Sequence, residues 1–277
     1  MSSASDSPTV ARPALSAPVR LLTGLGAPVL DIVSDVRDIL SVFVRTLRAV
    51  LRGKVERRIV VEQMHAIGNR SVFFIAVTMG FIGMILVFQS ALQALRIVPD
   101  LTLLGATFAE ILIRDLAASI GAMMLATRVG AGIAAEIGSM VVTEQVDALR
   151  MCSADPIEYL VAPRFVASII MTVCLLIFAA FVAFGAGMVT ANVIFDVNYA
   201  TFANFMLVDT GDLIVGLTKC IAYGAAIPIV SAHRGLTTFG GSEGVGWATT
   251  SAVVSSSLAV IVLQFIISAV GYVIFPG

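Results

Sequence analysis

Four ionisable side chains lie within stretches of sequence that are otherwise apolar. Glu110, Arg114 and Asp115 share one stretch, and Lys219 lies in another. A charge at the centre of a membrane helix costs about 2.5 to 3.5 kcal/mol, so such groups face protein or a water-filled cavity. Glu110 precedes Arg114 by one helical turn, the favourable order for an ion pair on one face. Lys219 needs an anionic partner, either Asp115 or the phosphate of a lipid.

The remaining residues give no support for soluble catalytic chemistry. The sequence has two lysines, Lys54 and Lys219, and neither ends a Gly-x-x-x-x-Gly-Lys-Ser/Thr run. The chain therefore cannot hydrolyse ATP through that loop. The cysteines and histidines are too widely spaced to indicate a disulfide framework or a zinc site: Cys152, Cys174, Cys220, His65 and His233.

The composition places the chain in a membrane. Of 277 residues, 58% are hydrophobic and 13% charged, and the mean hydropathy is +1.01. A soluble domain is about half apolar and about a quarter charged, so a soluble enzyme is excluded. The net charge of −1 argues against nucleic-acid binding. Five stretches reach the roughly 20 residues needed to cross a bilayer: about 71–92, 103–127, 165–192, 213–232 and 247–275.

Two further segments precede the first stretch. Residues 1–27 are rich in Ser, Ala and Pro and are expected to form a disordered cytoplasmic tail. Apolar side chains recur every three or four positions from Val29 to Leu51, and a basic end runs on to Arg58. This pattern predicts an amphipathic helix over residues 28–58, lying in the membrane interface or packed on protein. Ten of the seventeen Lys and Arg residues precede the first span. The positive-inside rule then puts the N-terminus in the cytoplasm and the C-terminus outside.

The polar segment 128–164 predicts a helical hairpin on the cytoplasmic side. Acidic residues fall on neighbouring turns of one helix and form a ridge: Glu136, Glu144 and Asp147. Asp155 and Pro156 then cap a second short helix, which Pro163 ends. Because the chain has no phosphate-binding loop for ATP, a separate peripheral ATPase would bind such a hairpin. An ordinary solvated loop is the alternative.

The first apolar stretch has two interpretations. Its glycines, like those of later stretches, predict close helix packing: Gly80, Gly83, Gly185, Gly187 and Gly271. Its methionine-bearing face would instead line a lipid-sized cavity, because flexible side chains accept varied acyl chains: Met79, Ile82, Met84, Ile85 and Phe88.

The charged side chains within the apolar stretches have three possible roles. They would form a structural salt-bridge network, contact an anionic head group, or take part in proton coupling.

Four segments, in order along the chain, resemble motifs of one family. EIGSMVVTEQVDALRMCSADPIEYLVAPR, residues 136–164, strongly resembles the hallmark segment of the MlaE/YrbE family of ABC-transporter permeases. FIGMILVFQ at 81–89 and LIRDL at 112–116 resemble the family's motifs in the first two spans. GGSEGVGWATTSAVVSSSLAV at 240–260 resembles its last-span signature, although Gln264 stands where some relatives have an acid.

The resemblance implies an N-terminal interfacial amphipathic helix and five transmembrane helices, with a cytoplasmic coupling-helix hairpin between the second and third spans. It implies a homodimer, a cytoplasmic ABC ATPase that binds ATP and Mg, and an MCE-domain subunit outside. The short N-terminal tail without a clear transit peptide favours a bacterial inner membrane over a plastid envelope. No cofactor is expected in this chain. Such assemblies move phospholipids or other hydrophobic molecules between membranes.

The resemblance also suggests roles for individual residues. It places coupling to the ATPase on the hairpin: Glu136, Glu144, Asp147, Asp155 and Pro156. It places an intramembrane polar role on Arg114, Asp115 and Lys219. Two alternatives remain. An ion-coupled secondary carrier would use the same three membrane charges, but would normally show internal repeats, which are not visible here. A structural scaffold would use the charges for packing alone.

Overall fold

The computed structural model describes residues 17–53, 55–97 and 101–275. Within these ranges the regular elements are all helices: α1 (Ala17–Leu51), α2 (Arg57–Ile97), α3 (Leu104–Val142), α4 (Gln145–Met151), α5 (Ile157–Phe195), α6 (Tyr199–Phe202), α7 (Thr210–Leu236) and α8 (Gly241–Ile274). Of these, α2, α3, α5, α7 and α8 are long and apolar enough to cross a membrane. A helix bonds its own backbone polar groups, as hydrocarbon requires. The predicted all-helical fold with five spans is confirmed.

By internal packing the chain divides into Met1–Ser41 and Val42–Gly277. In the first unit, α1 already includes residues 17–27, which the composition assigned to a disordered tail, while residues 1–16 lie outside the described residues. The apolar side chains Val33, Val36 and Leu40 are exposed on α1. Placement of this helix in the membrane interface stays a prediction.

The helices around the predicted hairpin differ from expectation. Residues 128–142 continue the second span as part of α3, because their apolar side chains extend the buried face of that helix. Pro163 does not end a helix, since Ile157–Phe195 is continuous. Its ring follows a wide π-helical turn, Ile157–Val161, where the usual i to i−4 bonding that proline disrupts is already altered.

Glycines bring α2 and α5 into close contact. A Cβ on Gly83 would lie 2.2 Å from the carbonyl oxygen of Ala183, and one on Gly187 would lie 2.7 Å from a methyl carbon of Val87. These two positions therefore act as packing glycines, as the sequence predicts. A Cβ on Gly185 would meet open space, so this glycine is not needed for packing within the chain.

Candidate functional site

Lys219 and Asp115 meet between α7 and α3. The Lys219 side chain is fully buried, and its ammonium donates to the Asp115 carboxylate and, at 2.9 Å, to the backbone carbonyl of Arg114. Close approach of the helices allows this contact, since a Cβ on Gly216, one turn before Lys219, would lie 2.5 Å from the carbonyl oxygen of Ile113. Of the two partners that the sequence left open for Lys219, the structure contains Asp115.

The backbone of α3 is irregular at this point. Residues Leu112–Leu116 form a wide π-helical turn, and both Arg114 and Asp115 lie on it. Such turns are uncommon and occur frequently at functional sites. The wide turn changes the direction in which successive side chains project. Arg114 and Asp115 consequently contact different parts of α7.

A third helix, α8, completes the polar network. The Gln264 amide donates to Asp115 Oδ1 at 2.8 Å, and the Ser268 hydroxyl donates to the same oxygen at 3.2 Å. The buried hydroxyl of Tyr223 donates to Gln264 Oε1. Lys219, Asp115, Gln264, Ser268 and Tyr223 are called the central network below. Sequence reasoning noted Gln264 only as a departure from relatives and missed Tyr223 and Ser268, which carry no charge.

The central network lies deep in the predicted membrane layer. At 1.5 Å per residue, Asp115 is roughly 17 Å from the start of α3, Lys219 roughly 14 Å from the start of α7, and Gln264 roughly 15 Å from the end of α8. These ends share one side of the membrane in a five-span protein. A bilayer core is about 30 Å thick, so the three side chains lie near its middle.

Arg114 forms its ion pair with Asp212 and not with Glu110, contrary to the prediction. The guanidinium lies 3.0 Å from Asp212 Oδ1, and the acid is 4% exposed. Among the described residues Glu110 forms no ion pair. The wide turn after Ile111 explains the difference, because side chains four residues apart no longer stack on one face there. Asp212 also accepts the Asp209 backbone N–H, and so caps α7.

An apolar cavity of about 380 Å³ lies beside this site, between α3, α5 and α7. Ile113, Gly216 and Cys220 line it, and they neighbour the ionic residues in sequence. Aromatic rings from α5 and the following link also line it: Phe181, Phe184 and Phe205. The cavity can accept hydrocarbon, and the adjacent part-exposed ionic side chains are the Asp115 carboxylate and the Arg114 guanidinium.

The side chains predicted to line a lipid cavity on α2 lie elsewhere. Met79 is fully buried, whereas Ile85 and Phe88 are exposed and Ile82 and Met84 are intermediate. They do not line the 380 Å³ cavity. The reason is the packing of α2 on α5, which buries one side of α2 and leaves the other side facing outward. These side chains therefore do not share one intramolecular cavity, and a lipid-lining role for them stays a prediction.

The predicted acidic ridge is not continuous. Helix α3 ends at Val142, and Glu144 has a left-handed backbone, φ 60°, immediately before α4. Three of the acids are paired within the chain: Glu136 with Arg164 at 3.0 Å, Asp147 with Arg150 at 3.0 Å, and Asp155 with Arg45 at 2.9 Å. Pro156 follows Asp155, whose other oxygen accepts the Ile157 N–H.

Glu144 is different from the other hairpin acids. It is exposed, and its carboxylate forms no ion pair or hydrogen bond within the part of the chain that the structure describes. A non-glycine residue with positive φ is uncommon. The left-handed turn projects Glu144 at the tip between α3 and α4, where a partner protein can reach it.

The fold and site define a class: a helical membrane protein with five candidate spans and an internal polar network joining three of them. The sequence model for the permease MlaE family matches residues 60–270. The chain belongs to the MlaE family of ABC transporter permeases, which confirms the resemblance seen in its motifs.

Individual relatives agree with this assignment. A probable ABC transporter permease protein of Synechocystis is 37% identical over 230 residues, covering 82% of this chain and 86% of that relative. A probable ABC transporter permease protein of Rickettsia conorii is 35% identical over 222 residues, covering 79% and 85%. The chloroplastic protein TRIGALACTOSYLDIACYLGLYCEROL 1 of Arabidopsis thaliana is 33% identical over 227 residues, covering 79% and 63%.

Proposed function

We propose that this permease is the membrane subunit of a transporter that moves phospholipid or another hydrophobic lipid between membranes, driven by a separate ATPase subunit. The observation that carries the proposal is the apolar cavity beside the central network. An amphiphile has a hydrocarbon part and a polar part, and the two neighbouring environments suit one each. The name of the Arabidopsis relative refers to a diacylglycerol-based glycolipid, which supports a lipid substrate.

In this proposal the charged side chains within the spans contact the polar head group of the lipid. Asp115 is paired, yet its side chain is 40% exposed, so a polar head group can approach it without breaking the Lys219 contact. Arg114 is also partly accessible beside Asp212. We infer that these groups hold a head group during transfer, while the cavity takes an acyl chain.

Coupling to the ATPase is proposed for the turn and short helix that contain Glu144. An apolar groove of about 390 Å³ lies along α4, lined among others by Met140, Leu149 and Tyr159. Met151, at the end of α4, is 88% exposed. An apolar groove beside an unpaired carboxylate matches the anatomy of a protein interface, with apolar contacts at its centre and charge at its rim.

The remaining partners are proposed on the same basis. Helix α8 exposes a broad apolar face that includes Val254, Leu258 and Phe265, which suits a second copy of the chain in a homodimer as well as lipid. An MCE-domain subunit would bind the opposite side of a bacterial inner membrane from the ATPase. ATP and Mg would be bound by the ATPase, so the purified permease alone is expected to show no ATP hydrolysis.

The lipid part of the proposal is tested by filling the cavity. Ala180 lines it, and Ala180→Trp places an indole in the space that an acyl chain would take. We expect this variant to bind the ATPase normally but to lose most lipid movement in reconstituted vesicles. Val189→Trp is the control, because Val189 lies on the same helix, is half-exposed and does not line the cavity. Unchanged transport by Ala180→Trp would refute the assignment of the cavity.

The coupling part is tested by charge reversal. Glu144→Lys replaces an attraction by a repulsion at a contact where truncating a buried paired charge costs about 2 to 5 kcal/mol. The ATPase should then fail to co-purify, or should hydrolyse ATP without transport. Glu62→Lys is the control, since Glu62 is an exposed acid on α2, outside the hairpin. Normal coupling in Glu144→Lys would assign the interface to other residues.

A further inference from the structure

A second and more polar pocket lies between α2 and α3, far from the central network. Its volume is about 180 Å³. Its polar lining comes from Gln63, Arg70 and Ser71 on α2 and from Arg128 and Glu136 on α3. Arg128 is roughly 20 Å along α3 from Asp115. The pocket is therefore not a part of the site described above.

The pocket carries a positive charge that the described side chains do not neutralise. Neither Arg70 nor Arg128 forms an ion pair with a carboxylate of residues 33–53, 55–96 or 101–275, the residues whose side chains are described. The acid in the lining, Glu136, is held by the guanidinium of Arg164 at 3.0 Å. Two exposed arginines therefore have no counter-ion among these residues and lie around one cavity. This arrangement favours an anion.

The hydroxyl of Ser71 is a second, independent observation that points to a ligand in the pocket, because it has no hydrogen-bond acceptor among the described residues. Its side chain is 1% exposed, and its hydroxyl has no hydrogen-bond partner within the described part of the chain. An unsatisfied buried hydroxyl costs about 1 to 3 kcal/mol, and such groups are rare without a ligand or water. Because Ser71 lines the pocket, a bound oxyanion can accept this hydrogen bond.

The pocket lies at the level where the apolar spans begin. Arg70 immediately precedes the apolar stretch 71–92, and Arg128 immediately follows the stretch 103–127. Arg128 also lies on the second wide turn of α3, Ala126–Gly130. Basic pockets between spans at the cytoplasmic surface are suited to anionic lipid head groups. The basic N-terminal segment predicts that this end is cytoplasmic.

We propose that this pocket binds a phosphate group, either free or as the head group of an anionic lipid. Arg70 and Arg128 provide charged donors, the Gln63 amide provides a neutral donor, and the Ser71 hydroxyl provides a fourth. A phosphate offers several acceptor oxygens to such a set. Binding here does not depend on the transport proposal, since it requires neither the ATPase nor the central network.

The test measures binding to the purified full chain in detergent. Native mass spectrometry compares dioleoyl phosphatidic acid with dioleoylglycerol, which has the same chains and no phosphate. We expect wild type to prefer phosphatidic acid, and each of Arg70→Gln and Arg128→Gln to weaken its binding about tenfold or more. Arg58→Gln removes one exposed arginine from the same end of α2 without touching the pocket, and it should bind as wild type does.

Ser71→Ala separates a binding role from a structural one. The variant should bind phosphatidic acid several-fold more weakly, while its melting temperature without ligand stays equal to wild type or rises, because an unsatisfied hydroxyl is removed. A loss of stability in the absence of ligand, with unchanged binding, would show that the hydroxyl serves the fold. That result would contradict the proposal.

A second titration, with inorganic phosphate, distinguishes the sources of the anion. Stabilisation of wild type by millimolar phosphate, absent from the Arg70→Gln and Arg128→Gln variants, would identify a free phosphate site. Binding of phosphatidic acid without any response to phosphate would identify a lipid site. The proposal is overturned if the pocket variants bind both probes as wild type does, or if Arg58→Gln loses as much binding as they do.

Discussion

Lys219→Met is the most informative perturbation of the central network. The substitution keeps the length of the side chain but removes an ammonium that is fully buried and contacts Asp115. Among the described residues, the Asp115 carboxylate then retains only neutral donors, Gln264 and Ser268. A carboxylate near the middle of the membrane has lost its counter-ion in this variant.

The expected cost follows from that geometry. Breaking a buried ion pair by removing one partner costs about 3 to 5 kcal/mol. Asp115 is 40% exposed and keeps two neutral hydrogen bonds, so we expect the lower end, about 3 kcal/mol. Replacing both partners, in Lys219→Met with Asp115→Asn, leaves no stranded charge. The double variant should be more stable than either single variant, which requires a coupling energy of more than about 3 kcal/mol.

The assay is reversible unfolding of the purified chain in mixed micelles, followed by circular dichroism. Thr218→Ala is the control, because among the described residues the Thr218 hydroxyl bonds only to the Ile214 carbonyl in its own helix. We expect that control to change the free energy of unfolding by less than about 0.5 kcal/mol. If the loss in free energy of unfolding of the double variant equals the sum of the losses of the two single variants, Lys219 and Asp115 are not coupled. That result would refute the reasoning.

Two further predictions concern packing and ion pairing. Gly83→Ala places a Cβ 2.2 Å from a carbonyl oxygen of α5 and should destabilise the chain by about 2 kcal/mol. The control, Gly185→Ala, should leave the stability unchanged. Similar melting temperatures for the two variants would contradict the close contact. Asp212→Asn removes the carboxylate that pairs with Arg114 and should lower stability by about 2 kcal/mol. Glu110→Gln should lower it by less than about 0.5 kcal/mol, and the reverse order in thermal melts would show that Glu110 is the functional partner.

The spans were predictable because hydropathy alone determines which stretches can cross a bilayer. Their ends were not, because apolar residues such as those at 128–142 continue a helix beyond the membrane when they pack on protein. The break at Glu144 also has no local signal, since glutamate is not a residue that favours a left-handed backbone. Periodicity therefore predicted one acidic face where the structure has a turn.

The charged residues of the candidate site could be predicted from the sequence, but its neutral residues could not. A buried lysine needs an acid, so Lys219 pointed to Asp115 as one of two partners. The pairing of Arg114 with Asp212 joins residues 98 positions apart, a distance at which linear spacing gives no information. Asp212 belongs to an Asp-x-x-Asp capping pattern, which suggests a helix start but not an ion pair. Gln264 and Tyr223 become recognisable only when α7 and α8 are packed together.

The most direct test of the account is lipid movement in vesicles that contain the permease with its ATPase. A fluorescent phospholipid is followed as it leaves the donor membrane, with ATP, without ATP, and with an ATPase unable to hydrolyse it. We expect movement only when the active ATPase and ATP are both present. Equal movement by the permease alone under an ion gradient, without ATP, would contradict it and favour an ion-coupled carrier.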